Sequence, residues 1–313
     1  MNASISQPTP VLNIASVERD TGLSKDTLRV WERRYGFPSP ARDSLGERWY
    51  NAMEVEKLRL VKQLVALGHR PGKIIHRSSL ELRELAQVKP ASSPEIPEDL
   101  TKYLSLLRSH RTEEFSRALS ETLLRAGLAE FVFQTVAPLT AEVGRAWACG
   151  TLEIFEEHLF AESIQGVLRS AIQSTPEIES RPRVLLTTFP QEPHGLGLLM
   201  AEAILSLEGC VCVSLGPQTP LLEIVRAAAS QPFDIVALSF STLVNSRQVI
   251  DGLTELRRHL ASSVELWVGG SHPILKHATV KPLCTVLQLQ DLRAALAHWR
   301  AQTDGQATAA TSA

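Results

Sequence analysis

The chain has 313 residues, 44% of them apolar, and a net charge of −2; this length admits two or three domains, and the composition excludes a globally disordered protein. No apolar run approaches the roughly 20 residues of a membrane helix, and the opening MNASISQPTP lacks the basic start and apolar core of a secretory signal, so a cytoplasmic protein with no membrane partner is expected. Residues 1–80 hold 13 Lys and Arg against 8 Asp and Glu, and the remainder 19 against 26, which points to polyanion binding by the front of the chain alone.

Residues 11–80 read as short helices with a loop. In Asn13–Tyr35, a first helix ends near Gly22 and Ser24 stands as the N-cap of a second. Two short helices around a glycine turn form a helix-turn-helix. Lys25, Arg29 and Arg33 recur at four-residue spacing on one face, suited to a major groove, while Leu28, Trp31 and Tyr35 fall on the core side. The following GFPSPARDSLGERWY reads as a wing, a loop with Arg42 and Arg48 set to meet phosphates. The pieces WERRYG, P-x-R and G-x-R-x-Y resemble the MerR family of winged-helix regulators across most of residues 11–80. That resemblance implies an all-α winged helix-turn-helix and a dimer reading a pseudo-palindromic operator DNA.

Residues 87–97, with three prolines and two serines, read as a linker. Over residues 98–176, Leu100, Leu104 and Leu107, then Phe115, Leu119 and Leu123, recur at helical spacing and predict a four-helix bundle. Within it, Trp147 is followed after nine residues by Glu157-His158. On pattern alone a buried tryptophan and a surface acid–imidazole pair are a better reading than a site.

Residues 181–301 alternate between short apolar strands (184–188, 211–215, 235–239, 264–268 and 285–288) and amphipathic helices (195–207, 220–230, 245–260 and 289–300). This predicts an α/β doubly wound parallel sheet, covered on both faces, with ligands at the carboxyl ends of its strands. The tail 302–313 has little to bury and is expected to be disordered. None of the four cysteines, Cys149, Cys210, Cys212 and Cys284, forms a CxxC pair, so they read as small buried hydrophobes rather than as disulfides or a metal cluster.

The loop after the first parallel strand carries Glu192-Pro193-His194-Gly195-Leu196-Gly197. A histidine beside glycines is weak evidence alone, but it stands at the ligand edge of the sheet. At the same edge Ser239 and Ser241 close the third strand, with 41 residues between Gly197 and Ser239, and Gly269-Gly270 close the fourth, with 27 residues between Ser241 and Gly269. Small residues at several strand ends leave a slot for a long ligand. The order His-x-x-Gly, Ser-x-x, Gly-Gly resembles the cobalamin-binding domain of methionine synthase and the mutases. Gly216 and Thr219, in the loop after the second strand, match it too. Two departures stand out: Glu192 replaces the commoner Asp and Ser241 the usual Leu.

By that resemblance His194 ligates cobalt from below, with Glu192 and Ser239 behind it, and the nucleotide tail lies beside Ser239 and Gly269-Gly270. The spacing Trp, nine residues, Glu-His, together with the front of the chain, resembles the light-sensing cobalamin regulators called CarH or LitR. The family resemblance implies adenosylcobalamin, with Trp147 and Glu157 holding the adenosyl group. It also implies that His158 becomes a second cobalt ligand after photolysis, and that a homodimer or homotetramer releases operator DNA in light. The expected function is therefore a cobalamin-dependent, light-responsive repressor with no catalytic residues. A light-blind cobalamin regulator is the nearest alternative. A corrinoid carrier or mutase subunit has no use for a winged helix, and the chain has no room for the barrel that radical chemistry needs.

Overall fold

The computed structural model describes residues 11–66, 69–87, 98–148, 151–176, 180–242 and 244–311. All but Gln87 of the expected linker lies outside the described residues, as does Cys149. The chain falls into two units, Met1–Glu95 with Gly144–Glu153, and Ile96–Val143 with Ile154–Ala313. No helix among the described residues is long and apolar enough to cross a membrane.

In the first unit, strand β1 (Val11–Asn13) leads into helices Ile14–Thr21 and Lys25–Tyr35, then strands β2 (Ala41–Arg42) and β3 (Arg48–Asn51) and helix Ala52–Ala66. Both caps anticipated for the helix-turn-helix form. Gly22 adopts φ 62° at the end of the first helix, and Ser24 Oγ accepts the Thr27 N–H at 3.1 Å. Val17, Leu28, Trp31, Tyr50, Leu58 and Leu64 share one core, with Tyr35 partly buried against it as expected. The wing differs from the expected loop: β1, β3 and β2 pair in that order as an antiparallel sheet. Asp43 builds its tip, accepting the N–H groups of Leu45 and Glu47 at 2.9 Å each and Trp49 Nε1 at 2.9 Å.

In the second unit, helix Thr112–Ala126 packs against Glu98–Arg108, against Ile154–Gln173 and against a run of helix beginning at Leu128. That run widens into a π-turn over Phe131–Val136, where Ala137 N–H reaches back to Val132 O. Pro138 explains the widening: it has no N–H for the next helical bond, and its ring crowds the preceding turn.

The sheet of this unit comprises β4 (Ser180–Thr187), β5 (Cys210–Gly216), β6 (Ile235–Phe240), β7 (Glu265–Gly270) and β8 (Thr285–Val286). Its order is β5-β4-β6-β7-β8, with every pairing parallel. From β4 the chain winds to one side, and from β6 to the other. The carboxyl ends of β4 and β6 therefore flank the switch point, where departing loops leave a crevice. Central strands are apolar on both faces because helices cover both: Leu221–Ser230 and Ser246–His259 contribute to one core with Val236, Leu238 and Leu266, while Leu196–Leu207 packs on Ile154–Gln173 and on the last helix. That last helix runs Leu292–Thr311, correcting the expectation of a disordered tail. Ala301, Ala307, Ala309 and Ala310 give the segment high helix propensity, and it extends a helix already formed, so no new nucleus is needed.

Candidate functional site

The loop after β4 is tied down at its root. The buried Thr188 hydroxyl donates to Glu192 O at 2.5 Å and accepts Gln218 N–H at 2.8 Å, and its carbonyl accepts Thr219 N–H at 3.1 Å. Thr187 Oγ1 lies 2.8 Å from Gly216 O and 2.7 Å from Thr219 Oγ1. Gly216 and Thr219 are thereby bound to the end of β4, beside the loop that carries His194.

Glu192 is fully buried, and its carboxylate organises the site. Oε1 accepts the His194 N–H at 3.0 Å and faces His194 Nδ1 at 2.6 Å, and Oε2 accepts the Ser241 N–H at 2.5 Å. Burial works to raise the pKa of this acid, but the hydrogen bonds from His194 and Ser241 outweigh it and hold the carboxyl below its usual range. An anionic Glu192 makes Nδ1 the protonated nitrogen and leaves the in-plane lone pair on Nε2. The His194 side chain is 46% exposed, and Nε2 has no hydrogen-bond partner among the described residues. An imidazole oriented by a carboxylate, with its other nitrogen open, has the arrangement that suits binding a metal.

Ser241, not Ser239, is the serine beside the imidazole, its Oγ lying 3.3 Å from Nδ1. This corrects the pairing expected from sequence. Ser239 instead faces Gly197, where an added Cβ would stand 2.6 Å from its Oγ. Gly270 is required by its backbone: its φ is 115°, and a Cβ there would meet Phe240 O at 2.1 Å. A Cβ on Gly269 would approach Leu287 O to 3.2 Å. In register, Ser239 pairs with Gly269 and Phe240 with Gly270, so the small residues do converge on one stretch of the sheet edge.

This donor set fits cobalt held in a corrin. Among the described residues no three His, Cys, Asp or Glu side chains converge on a metal position. One oriented imidazole therefore suits a metal that arrives with its other ligands. Imidazole is a good ligand for such a transition metal, and the strand-end glycines keep side chains out of the adjoining slot.

Glu157 and His158 lie in the first turns of helix Ile154–Gln173, with His158 Nδ1 3.1 Å from Glu157 Oε2 and the imidazole 72% exposed. Trp147 belongs to the other unit. It is half-buried near the end of helix Ala137–Ala148, and its carbonyl accepts Gln63 Nε2 at 3.3 Å.

On the helix-turn-helix, Arg29 and Arg33 are exposed on Lys25–Tyr35, whereas Lys25 is half-buried with its ammonium 3.6 Å from Glu18. The wing arginines do not both project freely. Arg42 Nη2 lies 3.1 Å and Arg48 Nε 2.7 Å from the Glu32 carboxylate, and Arg48 is only 24% exposed. Burial raises the Glu32 pKa, but the two guanidinium groups outweigh it and hold this acid below its usual range. Expected only to meet phosphates, these arginines also pin the wing to the second helix. Sequence reasoning misses Glu32, although its place in WERRYG is a signal that could have found it.

Comparison with known proteins agrees with this geometry. Residues 12–78 match the family described as MerR HTH family regulatory protein, and residues 100–171 and 182–286 each match a B12 binding domain. The chain is 30% identical to the HTH-type transcriptional repressor CarH of Myxococcus xanthus, over 80% of this chain and 85% of that one. It is 31% identical to the HTH-type transcriptional repressor CarA of the same organism, over 73% of this chain and 76% of that one. Among solved structures it resembles the monomethylamine corrinoid protein of Methanosarcina barkeri, with a TM-score of 0.51, 14% identity, and coverage of 62% of this chain and 95% of that one; this likeness is one of fold.

Proposed function

The chain belongs to the family of MerR-type, B12-binding transcriptional repressors that includes CarH and CarA, and from that premise we propose that this cobalamin-dependent transcriptional regulator is a light-responsive repressor. It holds operator DNA in the dark with adenosylcobalamin bound and lets go on illumination. The observation that carries the reading is His194, buttressed through Nδ1 by the buried Glu192 and open at Nε2, in a chain whose front is a winged helix.

Bound adenosylcobalamin supplies a weak cobalt–carbon bond that light breaks. His194 Nε2 would hold the cobalt, and Gly197, Ser239, Gly269 and Gly270 would give room to the nucleotide tail. Glu192 and Ser241 hold the imidazole, and Gly216 and Thr219 brace the loop. Trp147 and Glu157 retain the adenosyl group. His158, largely exposed, would offer the cobalt a second imidazole after illumination, and a shift of its helix would loosen a tetramer and its multivalent grip on DNA. Lys25, Arg29 and Arg33 face the major groove, and Arg42 the backbone. The function is that of a regulator rather than an enzyme.

Gel shift of the purified holoprotein on its operator, in the dark and under green light, tests the reading. Retention in the dark and release in light are expected, and equal binding in both removes the light response. Methylcobalamin separates a light-blind regulator, for which both forms support the same binding. His158→Ala is expected to change the absorption spectrum of the illuminated holoprotein while leaving that of the dark form in place.

A further inference from the structure

Helix Glu98–Arg108 ends in the paired hydrogen bonds of a left-handed cap. Arg111 N–H donates to Leu106 O at 3.0 Å, and His110 N–H donates to Leu107 O at 2.9 Å. The residue in the left-handed position is His110, with φ 55°. Backbone sterics favour glycine there, because any Cβ crowds the neighbouring carbonyl. The local turn gains nothing from an imidazole, so its contribution comes from what it touches.

Its partners lie far along the chain. His110 Nε2 is 3.0 Å from Glu156 Oε1, and the ring meets Phe155 edge-on at a centroid distance of 5.1 Å. Glu156 is buried although it stands in the first turn of helix Ile154–Gln173. A carboxylate withdrawn from water requires donors, and the imidazole is one that another element supplies. Glu157 and His158 follow directly. Successive helical side chains point about 100° apart, so fixing Phe155 and Glu156 sets the rotation of this turn and with it the directions of Glu157 and His158.

We propose that His110 is a positioning residue, docking the cap of Glu98–Arg108 onto the first turn of Ile154–Gln173 and so fixing the turn that presents Glu157 and His158. The inference rests on the roles given to those two residues above, and it extends the site to the cap of helix Glu98–Arg108.

The test uses the full-length protein loaded with adenosylcobalamin and kept in the dark. His110→Gly suits the left-handed cap and removes both the hydrogen bond to Glu156 and the ring packing on Phe155. His110→Gln returns an amide donor of similar reach without the ring. The first readout is amide hydrogen exchange at residues 158–161, whose N–H groups close onto the carbonyls of the first turn. In the glycine variant these amides are expected to exchange roughly tenfold faster, those of Thr112–Ala126 to keep their rates, and glutamine to restore protection. The second readout is the absorption spectrum after green light, expected to differ from wild type in the glycine variant and to return with glutamine. Unchanged exchange at 158–161, equal loosening in Thr112–Ala126, or no restoration by glutamine overturns the proposal. Should the wild type show no light response, the roles of Glu157 and His158 fail, while the exchange readout still decides whether His110 sets the turn.

Discussion

Glu192 has no access to water, and the donors around it more than offset its desolvation. Its folded-state pKa is depressed, so its contribution to stability is in full force above the ordinary carboxylate value of about 4.3. That contribution is lost as pH falls through the lower folded value. Thermal denaturation of the wild type is therefore expected to weaken through the acid range, and Glu192→Gln to give a flatter profile there. Glutamine cannot serve both sides of the original carboxylate. With its oxygen toward His194, its NH₂ meets the Ser241 N–H; turned round, it faces Nδ1 with a donor and favours the tautomer whose proton occupies Nε2. Either arrangement is expected to weaken cobalamin binding by roughly 10–100-fold, measured by spectrophotometric titration. His194→Ala, at a half-exposed position, is expected to fold and to lose the absorption signature of histidine-ligated cobalamin. His194, Glu192 and the small strand-end residues were legible in the sequence because a metal site demands particular residue types at particular places. Ser241 was not legible as the partner of Glu192. What it gives that carboxylate is a backbone N–H, which any residue but proline has, and its nearness depends on how β4 and β6 lie in register.

Elements differ in how plainly their residues declare them. Strands β6 and β7 and the second half of β4 are short apolar runs, and their length and flanking turn residues are what separate them from buried helix. The strands of the wing were hidden because β2 has two residues and β3 four, too few to show a period of two, and because its tip is built by the Asp43 side chain. The extension of the last helix beyond residue 300 was hidden because its alanines carry propensity without an apolar stripe in the sequence. Within the wing, the two arginines have separable tasks. Arg48, 24% exposed, spends its guanidinium on Glu32, itself 23% exposed. Arg48→Ala is expected to destabilise the first unit by about 1–2 kcal/mol, seen as a lower melting midpoint. Arg42 is 50% exposed, and its Glu32 bond is weaker in water. Arg42→Ala is expected to leave the melting midpoint near wild type and to reduce the salt slope of operator binding by about one. Equal melting midpoints for the two variants would show that the hairpin is not held through Arg48.

At the scale of the whole molecule, two activities share one chain, and their coupling is a measurable free energy. If adenosylcobalamin raises operator affinity by some factor, operator DNA must raise adenosylcobalamin affinity by the same factor. Couplings of this kind run to about 1–3 kcal/mol, or roughly 5–150-fold. Dark titration of the apoprotein with adenosylcobalamin, with and without saturating operator, is expected to return the factor by which the cofactor tightens operator binding. Salt adds what linkage alone does not contain. The logarithm of the binding constant falls with the logarithm of salt by about 0.9 for each phosphate neutralised, and the cations available to each copy are those of one winged helix. Release of copies from DNA in light removes whole sets of these cation–phosphate pairs, whereas a change within a bound copy alters affinity and leaves most of its pairs in place. The slope for the illuminated holoprotein is thus expected to be a simple fraction of the dark slope. A reciprocal factor accompanied by an unchanged slope would keep cobalamin as an effector and remove disassembly from the mechanism.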